Sequence, residues 1–308
     1  MVLPSIMTRK IIKIADKTFA MTLPNEWLRK FDLGKGDELD VNEQNDKLVV
    51  STEKSYKQQK IHVDLEDMDE RTIRWYLSAL HKYGYDEIEI RYHNKEKLRL
   101  IQELLKNLYT GFNILQETES VVILKSIAKE NEEEFENTLR RAFRVTIAMG
   151  EELLTAIKAK NIEEIREIKK KELVNNQLTN FCERILNKRG YNDFKKNSFL
   201  YVIIWNLEKV CDNYKYICDL LLDGRKFPKD GVGDVLNIFH EANEYLDGYY
   251  NLFYEFDGKK LNELSRKKQQ IFSKIKEIKE NDEILHHIST LVIQITDFSA
   301  SMIAFHQD

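Results

Sequence analysis

The segment from residue 18 to residue 41 constrains the fold more than any other part of the chain. Its first third alternates apolar side chains with small or polar ones, which is the period of a half-buried strand. The apolar members are Phe19, Met21 and Leu23. Pro24 then fits the first turn of a helix, where its missing N–H costs nothing. Gly34 and Gly36 end that helix and allow turn geometry, so the pattern predicts strand, short helix, turn and strand.

Further strands are expected on either side, at residues 9–14 and 48–52. The resulting unit, about residues 7–54, resembles the swapped-hairpin DNA-binding domain of the AbrB/SpoVT type. The residues that carry the resemblance are Thr22, Leu23, Pro24, Trp27, Leu33, Gly36, Asp37 and Glu38. It implies a barrel built from two interleaved chains, which binds DNA with basic residues near the first hairpin. One departure is that residues 16–18 replace the glycine-containing turn found in many members.

The size of this unit favours a homodimer independently of the resemblance. A unit of roughly 50 residues buries too small a fraction of its surface to be stable alone. Interleaving two copies removes exposed strand edges and enlarges the core. The alternative is a small isolated sheet packed on the rest of the chain.

Local charge, rather than net charge, points to DNA. The chain carries a formal charge of −4, so affinity for nucleic acid has to come from a local patch. The candidate DNA-binding residues are Arg9, Lys10, Lys13 and Lys17. Against Asp16 they leave +3 over the first twenty residues, and a dimer presents that patch twice. The alternative is that these side chains are solvated and protect strand edges from aggregation.

After this first domain, assigned to residues 1–56, residues 57–128 show the order β-α-β-α-β-β. Strand alternation and helical stripes of apolar residues succeed each other there, which predicts a small α+β layer. This middle domain contains no glycine-rich phosphate loop and no metal-ligand spacing. We expect a spacer or a dimerisation layer, with a small-molecule sensor as the alternative.

Strand signals almost vanish in residues 129–308, where six helices are predicted. Their expected spans are 131–160, 162–188, 195–223, 231–256, 259–280 and 282–305. The longest break, around Pro228, divides them into two sets of three, at residues 129–226 and 227–308. This suggests an internal duplication packed as two antiparallel three-helix bundles. The predicted fold class is therefore mainly α with a small β part.

Carboxylates interrupt the apolar faces of these helices. Glu208 and Asp212 are four residues apart and share one face, where they repel each other unless a cation lies between them. Glu172 has the same spacing to Asn176. Asp297 lies within a nearly continuous apolar run, and a buried carboxylate needs a partner or its pKa shifts.

This part of the chain resembles PhoU-type proteins, whose paired three-helix bundles carry Glu-x-x-x-Asp patterns that can hold metal-ion clusters. Glu208 and Asp212 match the pattern fully. In the second helix Asn176 replaces the acid after Glu172, and in the last helix an isoleucine stands in the glutamate place before Asp297. The resemblance implies a divalent or ferric ion, with Glu172, Glu208, Asp212 and Asp297 as candidate ligands. The alternative is a set of salt bridges with Lys169, Lys171 and Lys209.

Other chemistry finds little support in the residues. The chain has no His-Glu-x-x-His, no Gly-x-Ser-x-Gly and no Walker-type loop, so we expect no enzyme. The three cysteines form no Cys-x-x-Cys pair and are expected to be packed thiols in a reducing, cytoplasmic setting. We also expect no membrane insertion, because no apolar run approaches the length of a membrane span.

Together these patterns predict a cytoplasmic, homodimeric, phosphate-responsive transcription regulator. Its first domain would bind DNA, and its helical bundle would sense phosphate status through a partner or an ion. PhoU-type proteins act with a phosphate transporter and a sensor kinase, which the resemblance implies as partners. The alternative is an adaptor that negatively regulates a phosphate transporter by docking on its ATPase, with the N-terminal barrel serving only dimerisation.

Overall fold

The computed structural model describes residues 8–15, 17–44, 47–52, 59–128, 130–226, 232–278 and 282–307. The chain forms two compact units, Met1–Gln59 and Lys60–Asp308. Most described residues are helical, and the strands form small sheets. The predicted class, mainly α with a small β part, is confirmed. The finer boundaries at residues 56 and 128 stay predictions.

The N-terminal unit contains two hairpins and one short helix. Its elements are β1 (Ile12–Ala15), β2 (Thr18–Ala20), α1 (Asn25–Lys30), β3 (Asp40–Gln44) and β4 (Lys47–Ser51). β1 pairs with β2 and β3 with β4, both antiparallel. Pro24 precedes α1, and Gly36 has a φ of 97°, which glycine tolerates and larger residues do not. The predicted order of strand, helix, glycine turn and strand is found, while the first strand starts at Ile12, later than expected.

The apolar side chains of this unit remain at its surface. None of its residues with described burial is buried. Ile14 is 68% exposed, Phe19 64% and Leu48 64%. Apolar surface on both hairpins, without a core beneath it, is what a chain presents when its core needs a second copy.

The second unit begins with the predicted α+β layer. Its elements are β5 (Lys60–Asp64), α2 (Glu70–Tyr83), β6 (Glu87–Arg91), α3 (Lys95–Leu108), β7 (Phe112–Glu117) and β8 (Val121–Ser126). The sheet order is β5-β6-β8-β7, with β5 and β6 parallel and the other pairs antiparallel. Asp69 caps α2 by accepting a hydrogen bond from the backbone N–H of Thr72, and Gly84 ends that helix with a φ of 109°.

The helical part follows the predicted spans with two additional breaks. Its helices are α4 (Glu132–Ala159), α5 (Ile162–Lys169), α6 (Lys171–Lys188), α7 (Asn197–Leu222), α8 (Val232–Tyr254), α9 (Gly258–Glu277), α10 (Glu283–Thr296) and α11 (Phe298–Phe305), with a short 3-10 helix at Phe194–Lys196. The helices predicted at 162–188 and 282–305 are therefore each two helices. Single residues, Lys170 and Asp297, separate them with a tightened turn rather than a loop.

One continuous core joins the two sets of three helices. α7 packs on α4 and α6 on one side and on α10 and α11 on the other, and α4 also contacts α8. α4 and α8 meet at Gly150 of α4, whose backbone carbonyl accepts a hydrogen bond from Asn243 Nδ2 at 2.8 Å. All three cysteines are free and buried, as the spacing predicts.

The α+β layer is fastened to the helical part by side chains of α6. Arg184 Nη1 donates to the carbonyl of His81 at 2.9 Å, and Asn187 donates to that of Lys82 at 2.9 Å. Gln177 donates to the carbonyl of Lys106 at 2.9 Å. These carbonyls lie in the last turns of α2 and α3, and that of His81 also accepts the backbone N–H of Gly84 at 3.2 Å. α6 therefore caps both helices of the layer.

One segment, Glu283–Phe305, is long and apolar enough to cross a membrane by length and composition alone. The expectation that no apolar run approaches that length is wrong for this segment. Its side chains at Leu291, Ile295 and Phe298 are fully buried in the helical core. Such packing is that of a core helix in a bundle.

Candidate functional site

The four basic residues predicted to meet DNA lie on or beside the first hairpin. Arg9 and Lys10 precede β1, Lys13 lies on β1 opposite Phe19, and Lys17 follows in the turn. All four side chains are exposed. A positive charge carried by an exposed hairpin can contact phosphates. Their role in DNA binding stays a prediction.

Three of the four predicted metal ligands lie together in a row of alternating charges between α6 and α7, here called the carboxylate–lysine row. Its members in spatial order are Glu172, Lys215, Asp212, Lys209, Glu208, Lys82 and Glu183. α6 supplies its two ends, α7 supplies the middle, and Lys82 comes from α2 of the α+β layer. The row therefore connects the layer to the bundle.

Each carboxylate of the row contacts at least one ammonium group. Lys215 Nζ lies 3.1 Å from Glu172 Oε1 and 2.7 Å from Asp212 Oδ1. Lys209 Nζ lies 3.0 Å from Glu208 Oε1 and 3.0 Å from Asp212 Oδ2. The cation that the spacing of Glu208 and Asp212 requires is thus the side chain of Lys209. Burial lowers the pKa of Lys209, but the two carboxylates together outweigh that effect, and the pKa is raised.

Metal binding at the row would compete with these lysines. A hard cation needs several oxygen ligands with free lone pairs converging on one point. Here the ammonium groups of Lys209 and Lys215 occupy the positions between the carboxylates. As arranged, the row does not fit a metal ion. A divalent or ferric ion there stays a prediction that requires the lysines to move aside.

Asp297 lies outside the row. It occupies the turn between α10 and α11, and its side chain is exposed. The expectation that Asp297 is a buried carboxylate is therefore wrong, because the helix breaks at this residue and turns the side chain to solvent.

Two of the lysines in the alternative salt-bridge set also pair elsewhere. Lys169 contacts Asp219 at 2.5 Å and Lys171 contacts Glu152 at 3.0 Å.

Glu183, at the end of the row, was not predicted as a site residue. It is fully buried, and its Oε2 lies 2.8 Å from Lys82 Nζ. Lys82 also lies 3.9 Å from Glu208 Oε2. Burial raises the pKa of Glu183 above its ordinary value, and this outweighs the lowering by Lys82. Sequence spacing could not identify the residue, since its partner Lys82 is about a hundred positions away.

The raised pKa of Glu183 predicts a specific pH dependence. The folded protein holds the Glu183 proton more tightly than the unfolded chain, so this residue stabilises less as pH rises from its unfolded pKa through its folded pKa. Glu183→Gln should remove this pH-dependent contribution to the free energy of unfolding. We expect the free energy of unfolding of the variant, relative to wild type, to increase as the pH rises above the ordinary pKa of a glutamate, about 4.3. Urea denaturation at each pH measures it.

The matched control is Glu167→Gln, which neutralises an exposed carboxylate paired with Lys170 at 2.6 Å. Its difference from wild type should stay nearly constant over the same pH range. A flat difference for Glu183→Gln as well would contradict the assignment.

A second group of convergent ligands lies at the carboxyl ends of β5 and β6. Asp64 Oδ1 lies 2.8 Å from His93 Nε2, and Glu66 Oε2 lies 3.9 Å from the same nitrogen. Within the described ranges, these three side chains form the group whose ligand atoms are close enough to share a cation. All three are exposed, and the hydrogen bond from His93 lowers the pKa of Asp64. The parallel pairing of β5 and β6 is the feature from which this group of ligands could have been predicted.

Comparison with known proteins bears on the N-terminal unit. Residues 12–58 match a family described as "Antidote-toxin recognition MazE, bacterial antitoxin". The N-terminal unit is MazE/AbrB-like. This supports the AbrB/SpoVT part of the resemblance, while the match covers only a small part of the chain and leaves the PhoU-type part a prediction. No curated protein and no solved structure matches the chain significantly.

Proposed function

We propose that the protein is a cytoplasmic, homodimeric transcription regulator that binds DNA through its MazE/AbrB-like unit. The observation that carries the proposal is the exposed apolar surface of that unit, on residues such as Ile14, Phe19 and Leu48. Two interleaved copies would bury it and would present two sets of Arg9, Lys10, Lys13 and Lys17. A two-fold arrangement of basic hairpins suits two DNA half-sites.

The helical unit would supply the response to phosphate status, through an ion, a transporter ATPase or a sensor kinase. This part of the proposal rests on the PhoU-type resemblance of Glu208 and Asp212 and on the two sets of three helices. A change in the bundle would alter DNA affinity by changing how the two DNA-binding halves are spaced.

DNA binding is tested by fluorescence anisotropy of the full chain across a salt series, with genomic fragments that include its own promoter region. We expect tight, fragment-selective binding whose logarithm falls steeply with log salt, by about 0.9 per phosphate contact. Reversing two charges in each protomer, with Lys10→Glu and Lys13→Glu, should weaken binding by about tenfold or more and make the salt slope shallower.

The matched control reverses two other exposed lysines of the same unit, Lys30→Glu and Lys35→Glu. It changes net charge equally, so retained affinity in the control assigns the effect to the first hairpin. Equal losses in both variants would show a general charge effect, and a wild-type protein that fails to bind even at low salt would refute the proposal.

The rival function is the adaptor. In that case the MazE/AbrB-like unit only dimerises the chain, and the helical unit docks on a transporter ATPase. The description of the matched family also names toxin recognition, which makes a toxin a candidate partner of the N-terminal unit. Partner binding that survives Lys10→Glu and Lys13→Glu, in a protein without DNA affinity, would favour this function.

A further inference from the structure

A cavity of about 650 Å³ opens between α4, α8 and α9, and its lining includes no member of the carboxylate–lysine row. Arg140 of α4 lies on one wall, and Tyr250 and Tyr254 of α8 lie beside it. Lys267 of α9 lines the same cavity and also a neighbouring one of about 560 Å³. The space is large enough for a small metabolite.

Two arginines of α4 reach Tyr250 at the wall of this cavity. Arg140 Nη1 lies 3.5 Å from the hydroxyl oxygen of Tyr250, and Arg144 Nε lies 3.4 Å from the same oxygen. Among the described residues, neither guanidinium forms an ion pair with a carboxylate. The two lysines on the opposite wall are already paired, Lys267 with Glu244 at 2.9 Å and Lys260 with Glu255 at 3.8 Å. The arginines are therefore the cationic groups at this point without a carboxylate partner in the described part of the chain, although the cavity lining also carries Glu244, Glu255 and Glu263.

The cavity arginine is held in position before any ligand arrives. The guanidinium of Arg140 lies 3.8 Å from the centre of the Tyr254 ring, a short cation–π contact. Tyr254 in turn packs edge-on against Tyr250, with ring centres 5.1 Å apart. A guanidinium fixed on an aromatic ring loses little conformational entropy when it binds an anion.

The hydroxyl of Tyr250 marks the point on which both arginines converge. It is a neutral acceptor, and its two contacts are at the long limit for hydrogen bonds. A phosphate group offers several charged oxygens, and arginine binds it by two parallel hydrogen bonds that are stronger than bonds to a phenol. An anion at this point would bridge Arg140 and Arg144.

We propose that this cavity binds a phosphorylated small metabolite, with its phosphate group held between Arg140 and Arg144 near Tyr250. The rest of the molecule extends along the cavity, where the carboxylates of Glu244 and Glu263 can accept hydrogen bonds from hydroxyl groups. The cavity exceeds what an inorganic phosphate ion fills, which favours an ester. This inference adds a direct effector site in the helical unit to the proposed function. Its regulatory meaning rests on that proposed function.

Calorimetry on the full chain without DNA tests the site, with ribose 5-phosphate, inorganic phosphate and ribose as probes. We expect ribose 5-phosphate to bind and ribose not to bind. Arg140→Met and Arg144→Met should each weaken binding by about tenfold or more, which corresponds to one lost charge-assisted pair. Arg141→Met is the matched control, because Arg141 is an exposed neighbour on the same helix that neither lines the cavity nor bonds to Tyr250 within the described part of the chain.

Melting temperatures of the three variants distinguish lost binding from lost folding, and Arg144, being exposed, can be replaced without disturbing the core. Tighter binding of ribose 5-phosphate than of inorganic phosphate supports the ester, and equal binding supports the site with free phosphate as its ligand. Absence of binding by both, or affinity that survives Arg140→Met and Arg144→Met, overturns the proposal. Because DNA is absent from this experiment, its failure is separate from failure of the DNA-binding proposal.

Discussion

Replacing Arg184 with methionine should destabilise the second unit by about 3–5 kcal/mol, the cost of leaving a buried charge without its partner. Arg184 is fully buried where α6 meets the α+β layer. Its Nε lies 2.7 Å from Glu130 Oε1, and its guanidinium lies 4.8 Å from the centre of the Phe112 ring. Lys188 pairs with both Asp86 and Glu130, so two cations balance two carboxylates. Methionine would fill a similar volume but leave Glu130 undercompensated, and the carbonyl of His81 would keep only the backbone N–H of Gly84 as a donor.

Urea denaturation followed by circular dichroism measures the loss, with Arg166→Met as the matched control. Arg166 is an exposed arginine that pairs with Glu163 at 2.6 Å, and its loss should cost less than about 1 kcal/mol. The double variant Arg184→Met with Glu130→Gln should recover part of the loss, since the uncompensated charge is then removed. A loss for Arg184→Met no larger than that of Arg166→Met would show that the buried network contributes little.

Adding one methyl group at Gly150 should cost about 2–3 kcal/mol through overpacking and a disturbed buried hydrogen-bond network. A Cβ at this position would lie 2.7 Å from Asn243 Oδ1 and 2.7 Å from the hydroxyl oxygen of Tyr214. These atoms are themselves hydrogen-bonded at 2.8 Å, and Asn243 also donates to the Gly150 carbonyl. The change forces three helices apart, and the better helix propensity of alanine, about 1 kcal/mol, offsets only part of the cost.

Gly258→Ala is the control for this prediction. Gly258 is the first residue of α9, its φ lies outside the left-handed region, and a Cβ added there would meet nothing within 4 Å. Alanine there should leave the melting temperature unchanged or raise it slightly. Comparable losses at both glycines would argue against close helix packing at Gly150 as the cause.

Local signals in the sequence were sufficient for the order of the elements in the middle domain. The order β-α-β-α-β-β predicted for residues 57–128 is found from β5 to β8, because apolar periodicity and flanking turn residues agree there. α2 begins after Asp69, whose side chain caps it, and ends at Gly84, which has a left-handed conformation. Lys170 and Asp297 gave no comparable signal, since a tightened turn between two helices needs neither glycine nor proline.

The candidate sites were less predictable, because their partners are distant in sequence. The spacing of Glu208 and Asp212 correctly required a cation, but nothing in the spacing told a metal ion from Lys209. Arg140 and Tyr250 are 110 positions apart, and only the packing of α4 on α8 brings them together. Arg184 is an ordinary charged residue in the sequence, and its burial depends on the docking of a separate layer.

The exposed hairpins of the N-terminal unit also bear on how the amount of protein in a cell would control its activity. None of their residues with described burial is buried, so under the proposed dimer the core forms only when two chains meet. Association of this kind follows mass action, and the concentration of dimer falls faster than linearly as the chain becomes dilute. Occupancy of DNA would then respond steeply to synthesis and proteolysis, and a modest fall in abundance would release a promoter without any ligand.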